Sequence, residues 1–336
     1  MKRRLIGGGI SLVVVVGVFA FVLPKIADYG AVWSTLQDLT GREIAALTVA
    51  ELVNLATFAP PYMSVLPGLD YWRGSVISQA STASTYLAPG GAAVGMGVAY
   101  AMLRGWGFAS PAIALAVTLT GIWNQLFMLG APAVALLLLT LQGGTAAALK
   151  TLAAIGAAIF VVAVAAIAAA LASTKLARRI GDTAARIVSW LLHVIRREPV
   201  TWNGESLVGF RLQTVGLLKR RWPFLTLATI AGQLSVFVVL VVCLRAVGVD
   251  ESQVTLTEAF AAWTFVRLLG SIPITPGGIG IVELGLTGML VGFGGARDGV
   301  VAGVLLYRVL TMVPTLVLGL VSTALWKRLR PERMTT

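Results

Sequence analysis

Hydrophobic positions along the chain gather into six long runs, over residues 5–23, 44–66, 110–140, 146–172, 222–247 and 299–326. Each is close to or above the roughly 20 residues that cross a ~30 Å hydrocarbon core at about 1.5 Å per residue. Two more stretches, 75–103 and 256–295, are apolar but interrupted at their centres by the same tripeptide, Pro89-Gly90-Gly91 and Pro276-Gly277-Gly278. Proline offers no backbone N–H, and glycine weakens a helix. The pattern predicts helices broken at these points.

Charge decides how the broken stretches lie. The segment 175–221 holds ten Lys/Arg against Asp182, Glu198 and Glu205, and both ends of the chain, MKRR and WKRLRPER, are basic. Excess cations belong on the cytoplasmic side. If 75–103 and 256–295 each enter and leave on one face, 19 of the 26 Lys/Arg fall on that side, and only Arg267 and Arg308 stay within the membrane. Turning one hairpin into a crossing reverses everything after it; turning both places the ten-cation segment outside. The predicted fold is therefore an all-α polytopic membrane protein: about six full transmembrane helices plus two re-entrant helical hairpins, with both termini cytoplasmic. The whole chain, 1–336, reads as a single integral membrane domain. Residues 44–140 form a first repeat with its hairpin at 75–103, and residues 222–326 form a second, inverted repeat with its hairpin at 256–295. Inverted repeats with broken helices near mid-membrane are a transporter construction.

Composition agrees. The chain of 336 residues is 57% hydrophobic and 12% charged, with a mean hydropathy of +0.89. A net charge of +12 would suggest nucleic acid in a soluble protein, but the positive-inside distribution accounts for it here, so no nucleic-acid partner is expected. The charged start followed by an apolar core to Leu23, without a small-residue cleavage site, reads as an uncleaved span. The single cysteine, Cys243, excludes an internal disulfide. With the single histidine, His193, it makes neither a zinc site nor a catalytic dyad. Trp106, Trp222 and Trp326 read as interface anchors, Pro60-Pro61 as a kink, and Gly95 and Gly97 as close-packing positions. Residues 29–42 read as an outer interfacial helix. In the basic loop 173–221, Leu176, Ile180, Ile187, Trp190, Leu191 and Val194 recur at helical spacing. They predict either an interfacial helix on anionic lipid headgroups or a solvated loop.

The breaks also carry the candidate chemistry. A helix interrupted in oil leaves backbone groups unpaired and is tolerated only against protein or a wet cavity. The helices restarting near Gly91 and Ile279 present free N–H groups and a positive dipole end, an anion-binding arrangement. Counting residues inward at about 1.5 Å each brings Glu283, Arg267 and Arg308 to one level near the midplane, with Asn54 and Glu51 approaching it from the first repeat. Mid-membrane charges cost at least ~2.5–3.5 kcal/mol each on insertion scales. They are thus mutually paired or functional, and arginine's planar fork suits phosphate. The candidate substrate-binding set is Arg267, Glu283, Arg308, Pro276, Gly277, Gly278, Gly280, Pro89, Gly90, Gly91, Asn54 and Glu51. The sequence holds no catalytic constellation, metal-ligand cluster or cofactor motif, so neither enzymatic activity nor a metal or cofactor is expected.

The stretch RLLGSIPITPGGIGIVELGLTGML with LLYRVLTMVPTLVLG resembles the lysylphosphatidylglycerol synthase transmembrane-region family, the membrane domain of the multiple peptide resistance factor. The matching elements are Arg267, Pro276, Gly277, Gly278, Gly280, Glu283, Arg308 and Pro314. The first half, with LAPGGAAVGMGVAYAMLRGWG, agrees more loosely. The resemblance implies a lipid flippase of the bacterial inner membrane, acting on a phospholipid or polyprenyl-type lipid. The family's catalytic domain, which loads an amino acid from tRNA, has no counterpart in this sequence, so lipid synthesis is not expected. Met96 stands where the internal echo would place a partner of Glu283. Two other classes stay open: a membrane enzyme or accessory subunit acting on lipid-linked sugars or phosphates, and a scaffold recruiting partners by its basic loop. A homo-oligomer is compatible with all three.

Overall fold

The structure, a computed structural model, describes residues 30, 33–34, 37–87, 91–142, 147–194, 203–271 and 276–326. The span expected at 5–23, most of the segment 29–36, and Pro89 and Gly90 lie outside them. Among the described residues the fold is all helical, and five helices are long and apolar enough to cross a membrane.

The first covers Gly41–Val65 and opens with α1, Gly41–Ala56, started by Thr40, whose hydroxyl accepts from the Glu43 N–H while the Glu43 carboxylate accepts from the Thr40 N–H at 2.7 Å. This reciprocal cap satisfies donors that a helix start leaves open. The run breaks before Pro60-Pro61 and resumes as α2, Pro60–Val65, since proline suits a first turn but not a helix interior. Next come α3, Tyr71–Leu87, and α4, Gly91–Gly105, the two arms of the first interrupted stretch. Then follow α5, Ser110–Leu141, α6, Ala147–Ala172, and the amphipathic α7, Thr174–Val194.

The span expected at 222–247 is longer than the hydropathy suggests. Helix α8 runs without interruption from Gly204 to Ala246, 43 residues, or about 64 Å. It is capped by Asn203, whose side chain accepts from the Ser206 N–H. Residues 204–221, read as loop from their charge, are therefore helix. The second interrupted stretch is α9, Leu256–Gly270, a single 3-10 turn at Pro276–Gly278, and α10, Ile281–Gly292. The last helix is α11, Arg297–Leu325.

Both interrupted stretches double back. In the first, Gly91 lies against Thr85, and Gly95, farther from the break, lies against Ser81. In the second, Gly270 faces Val282, and Gly285 faces Val266. In both, one arm descends as the other climbs, which is the geometry of a helical hairpin. Gly97, expected to allow close packing, is exposed with open space around it.

The two units, α1–α5 and α8–α11, pack reciprocally. The first arm of hairpin one, α3, lies along α11 of the other unit, and the first arm of hairpin two, α9, lies along α5. Each second arm packs on the last helix of its own unit, and α1 and α2 pair with α8. The approach of α3 to α11 is close enough that a Cβ on Gly319 would meet Ala83 Cβ at 2.3 Å and the Gln79 carbonyl at 2.6 Å. Two apolar cores result, one around α8–α11 with Trp263, Leu286 and Leu290, the other around α3–α5 with Ile77, Leu103 and Ile113. Trp106 belongs to the second core rather than to an interface belt; it is buried, and its Nε1 donates to the Trp326 carbonyl.

Candidate functional site

Hairpin two turns through Gly277, Gly278 and Gly280, all with positive φ. At Gly277 the φ of 61° coincides with a contact from the other hairpin: a Cβ there would sit 2.4 Å from Tyr86 Cδ1. Only glycine satisfies both the backbone and the neighbour. The same contact brings the end of α3 against the turn of hairpin two, so the hairpin ends of the two units meet. Pro89 and Gly90, the remainder of the first break, lie outside the described residues, while Gly91 is buried against Thr85.

One turn beyond the break sits Glu283, 4% exposed, and across from it Arg308 on α11, 9% exposed. Arg308 Nε donates to Glu283 Oε1 at 2.6 Å, and an Arg308 terminal nitrogen donates to the Gly277 carbonyl at 3.1 Å. Glu283 Oε2 accepts from the Gly280 N–H at 2.7 Å. The N–H group expected to receive an external anion at this helix start is thus taken by the helix's own carboxylate, placed where the dipole favours it. Pair and turn form one unit that fastens hairpin two to α11. Removing one member of such a pair strands a buried charge, at a cost of about 3–5 kcal/mol.

Arg267 is held apart from that pair. Among the described residues no carboxylate lies within ion-pair range of it. One terminal nitrogen donates to Gln233 Oε1 at 2.8 Å, and the guanidinium lies 5.2 Å from the centroid of Trp263. Its Nε is buried without a hydrogen-bond partner. Gln233 in turn donates to Asn124 Oδ1 on α5, so an amide relay joins α9, α8 and α5. Trp263 is itself fixed by Phe127, Phe237 and Phe260 around it and by a bond from its Nε1 to the Tyr307 hydroxyl.

From the first unit, Asn54 and Glu51 arrive on α1. Asn54 donates to Glu51 Oε2 at 3.1 Å and accepts from the Ser235 hydroxyl of α8 at 3.2 Å. Glu51 is 5% exposed, and its Oε1 is buried without a partner. Three hydroxyls of α3 are spent on the backbone: Ser78 bonds the Phe58 carbonyl, Ser84 that of Ala80, and Thr85 that of Thr82. A separate shallow surface depression, lined by Trp123, Leu171, Val215, Leu218, Lys219 and Trp222, lies on α5, α6 and α8.

Of the residues expected from sequence, Glu283, Arg308, Gly277 and Gly280 are brought into one bonded cluster; Arg267 stands beside a different set of partners; Asn54 and Glu51 face α8. Sequence reasoning missed Gln233, Asn124, Trp263 and Tyr86. The two amides were visible as polar residues inside apolar runs, Asn124 beside Gln125 and Gln233 two residues before Ser235, the kind of exception that marks a buried partner.

Among known families, one described as the Lysylphosphatidylglycerol synthase TM region matches residues 9–319, and the chain belongs to it. No curated protein matches the chain.

Proposed function

From that membership we propose that the protein is a lipid translocator rather than an enzyme. It would carry an anionic phospholipid or a lipid-linked phosphate between the leaflets of a bacterial inner membrane, with both termini cytoplasmic. The reading rests on one observation above the others: Arg267 is a cation among helices whose buried Nε has no hydrogen-bond partner, with no carboxylate of its own among the described residues. An isolated charge in that setting is costly unless an anion visits it. A headgroup phosphate fits, because a guanidinium fork grips two oxygens at once.

Arg308 has a different role in this scheme. Its Nε and one terminal nitrogen are committed to Glu283 and the Gly277 carbonyl, so it holds the turn that borders the site. The Trp263 face fixes the direction of the Arg267 guanidinium, and the Gln233–Asn124 relay gives its far side a partner that a phosphate need not displace. Acyl or prenyl tails would stay in the bilayer. Movement of the two interlocked units against each other would open the site to one leaflet and then the other.

The test is reconstitution into vesicles with fluorescent anionic lipids, following their loss from the labelled leaflet. Arg267→Ala should slow transfer by about tenfold or more, the scale of one charge-assisted hydrogen bond, with thermal stability near that of the parent. Arg267→Lys should recover part of the rate, since charge is kept and the fork is lost. Equal transfer by the parent, Arg267→Ala and protein-free vesicles would refute the reading.

A further inference from the structure

Helix α7 carries a face that neither unit covers. Its first half, and the end of α6 before it, are anchored by three sets of contacts. Ser173 accepts from the Leu176 N–H. Arg211 of α8 donates to the carbonyls of Leu171 and Ala172, at the end of α6. Asp182 accepts from the Gly204 N–H. These hold α7 at the point where the apolar run of α6 ends, so its position is set by a helix whose apolar window has none of its residues buried inside the protein.

At about 100° per residue, the side chains of α7 sort into three arcs. Ala177 and Gly181 are buried, Gly181 against Gly204 and Leu207 of α8. On the next arc lie Ile180, Ile187 and Trp190, all exposed, Trp190 at 65%. Bordering that arc come Lys175, Arg179 and Arg186, also exposed. An apolar stripe edged by cations is the arrangement of a helix lying in the headgroup region, with the stripe towards the acyl chains and the cations among lipid phosphates.

We propose that α7 docks on the anionic surface of the bilayer in which α6 is embedded, burying Ile180, Ile187 and Trp190 and binding acidic lipid headgroups through Lys175, Arg179 and Arg186. The charge of the strip selects the occupant. A second copy of this chain would bring the same cations against these, and so would a basic partner, whereas anionic headgroups neutralise them. Continuity with α6 keeps the surface within reach. The site is separate from Arg267 and stands whether or not the protein moves lipid.

The full chain can be tested in nanodiscs, with an environment-sensitive dye on Ile187→Cys. The native Cys243 is buried, and parent protein carried through the same labelling gives the background. In discs containing phosphatidylglycerol, the dye should shift to the blue and be quenched by spin-labelled lipid. Quenching should fall roughly twofold or more in purely zwitterionic discs, and likewise when Lys175, Arg179 and Arg186 are all changed to glutamine. The change of lipid leaves the protein untouched, so a folding defect in the variant cannot mimic the result. Equal quenching in both lipids overturns the headgroup assignment. A water-exposed dye in both overturns the docking altogether. Shielding that persists in detergent and grows with protein concentration assigns the face to a second copy instead.

Discussion

Hairpin one and hairpin two share a Pro-Gly-Gly break and a doubled-back shape, yet they are held by different forces. Hairpin two is fastened by charge: Glu283 reaches Arg308 and the Gly280 N–H, and Arg308 reaches the Gly277 carbonyl. Hairpin one has no ionisable group at the equivalent position. Met96, which stands there in sequence, is 50% exposed, and α3 is held instead by the approach of Gly319 to Ala83 and Gln79. One hairpin is keyed by a buried ion pair, the other by close packing and a neutral bond from Ser78 to the Phe58 carbonyl. A charge pair fixes one geometry sharply and fails as a unit; close packing tolerates small slips and fails by degrees. The Glu283–Arg308 pair holds a turn, and under the proposed function the ligand would fall to Arg267.

The sharpest way to break this contrast is Glu283→Ala, which strands the Arg308 guanidinium in the interior and should cost about 3–5 kcal/mol. Thermal unfolding in detergent should show it as a large drop in midpoint. Met96→Ala in hairpin one should change stability by less than about 1 kcal/mol, as exposed positions do. Replacing Glu283 and Arg308 together with methionine should regain much of the loss, because no lone charge remains.

Next in size, Gly319→Ala should destabilise by about 1–3 kcal/mol through overpacking against α3, while leaving hairpin two's ion pair intact. The smallest effect belongs to Gly97→Ala, on a helical position with open space around it. It should be neutral or stabilising by up to about 1 kcal/mol, since alanine is the better helix former. The same unfolding measurement covers all of these, and a reversed order would remove the distinction between a keyed and a shape-packed hairpin.

Much of this architecture was legible in the chain itself. The membrane helices follow from hydropathy, and both breaks from Pro-Gly-Gly. Depth counting put Glu283, Arg267 and Arg308 at one level, because rise per residue is the same in every helix, without saying which arginine meets Glu283. The pairing of Arg267 was not legible. Counting gives height but not azimuth, and rotation about the helix axis turned Arg267 towards Gln233 and Trp263 rather than towards Glu283. The helical nature of 204–221 was hidden by its charges, although Asn203 followed by Ser206 is a start signal that would have shown it. Trp106 looked like a belt residue because tryptophan often is one; its burial depends on the end of α11, 220 positions away, which no local window contains.

The reciprocal packing of α3 on α11 and of α9 on α5 means that the two units are clasped, each with a finger inside the other's grip. A chain severed between them would not yield two half-sized machines, because each fragment would surrender the wall that supports its own broken helix. Under the proposed transport cycle, movement of one unit against the other would have to slide each hairpin arm along the helix that grips it, so the clasp would limit how far the two can separate.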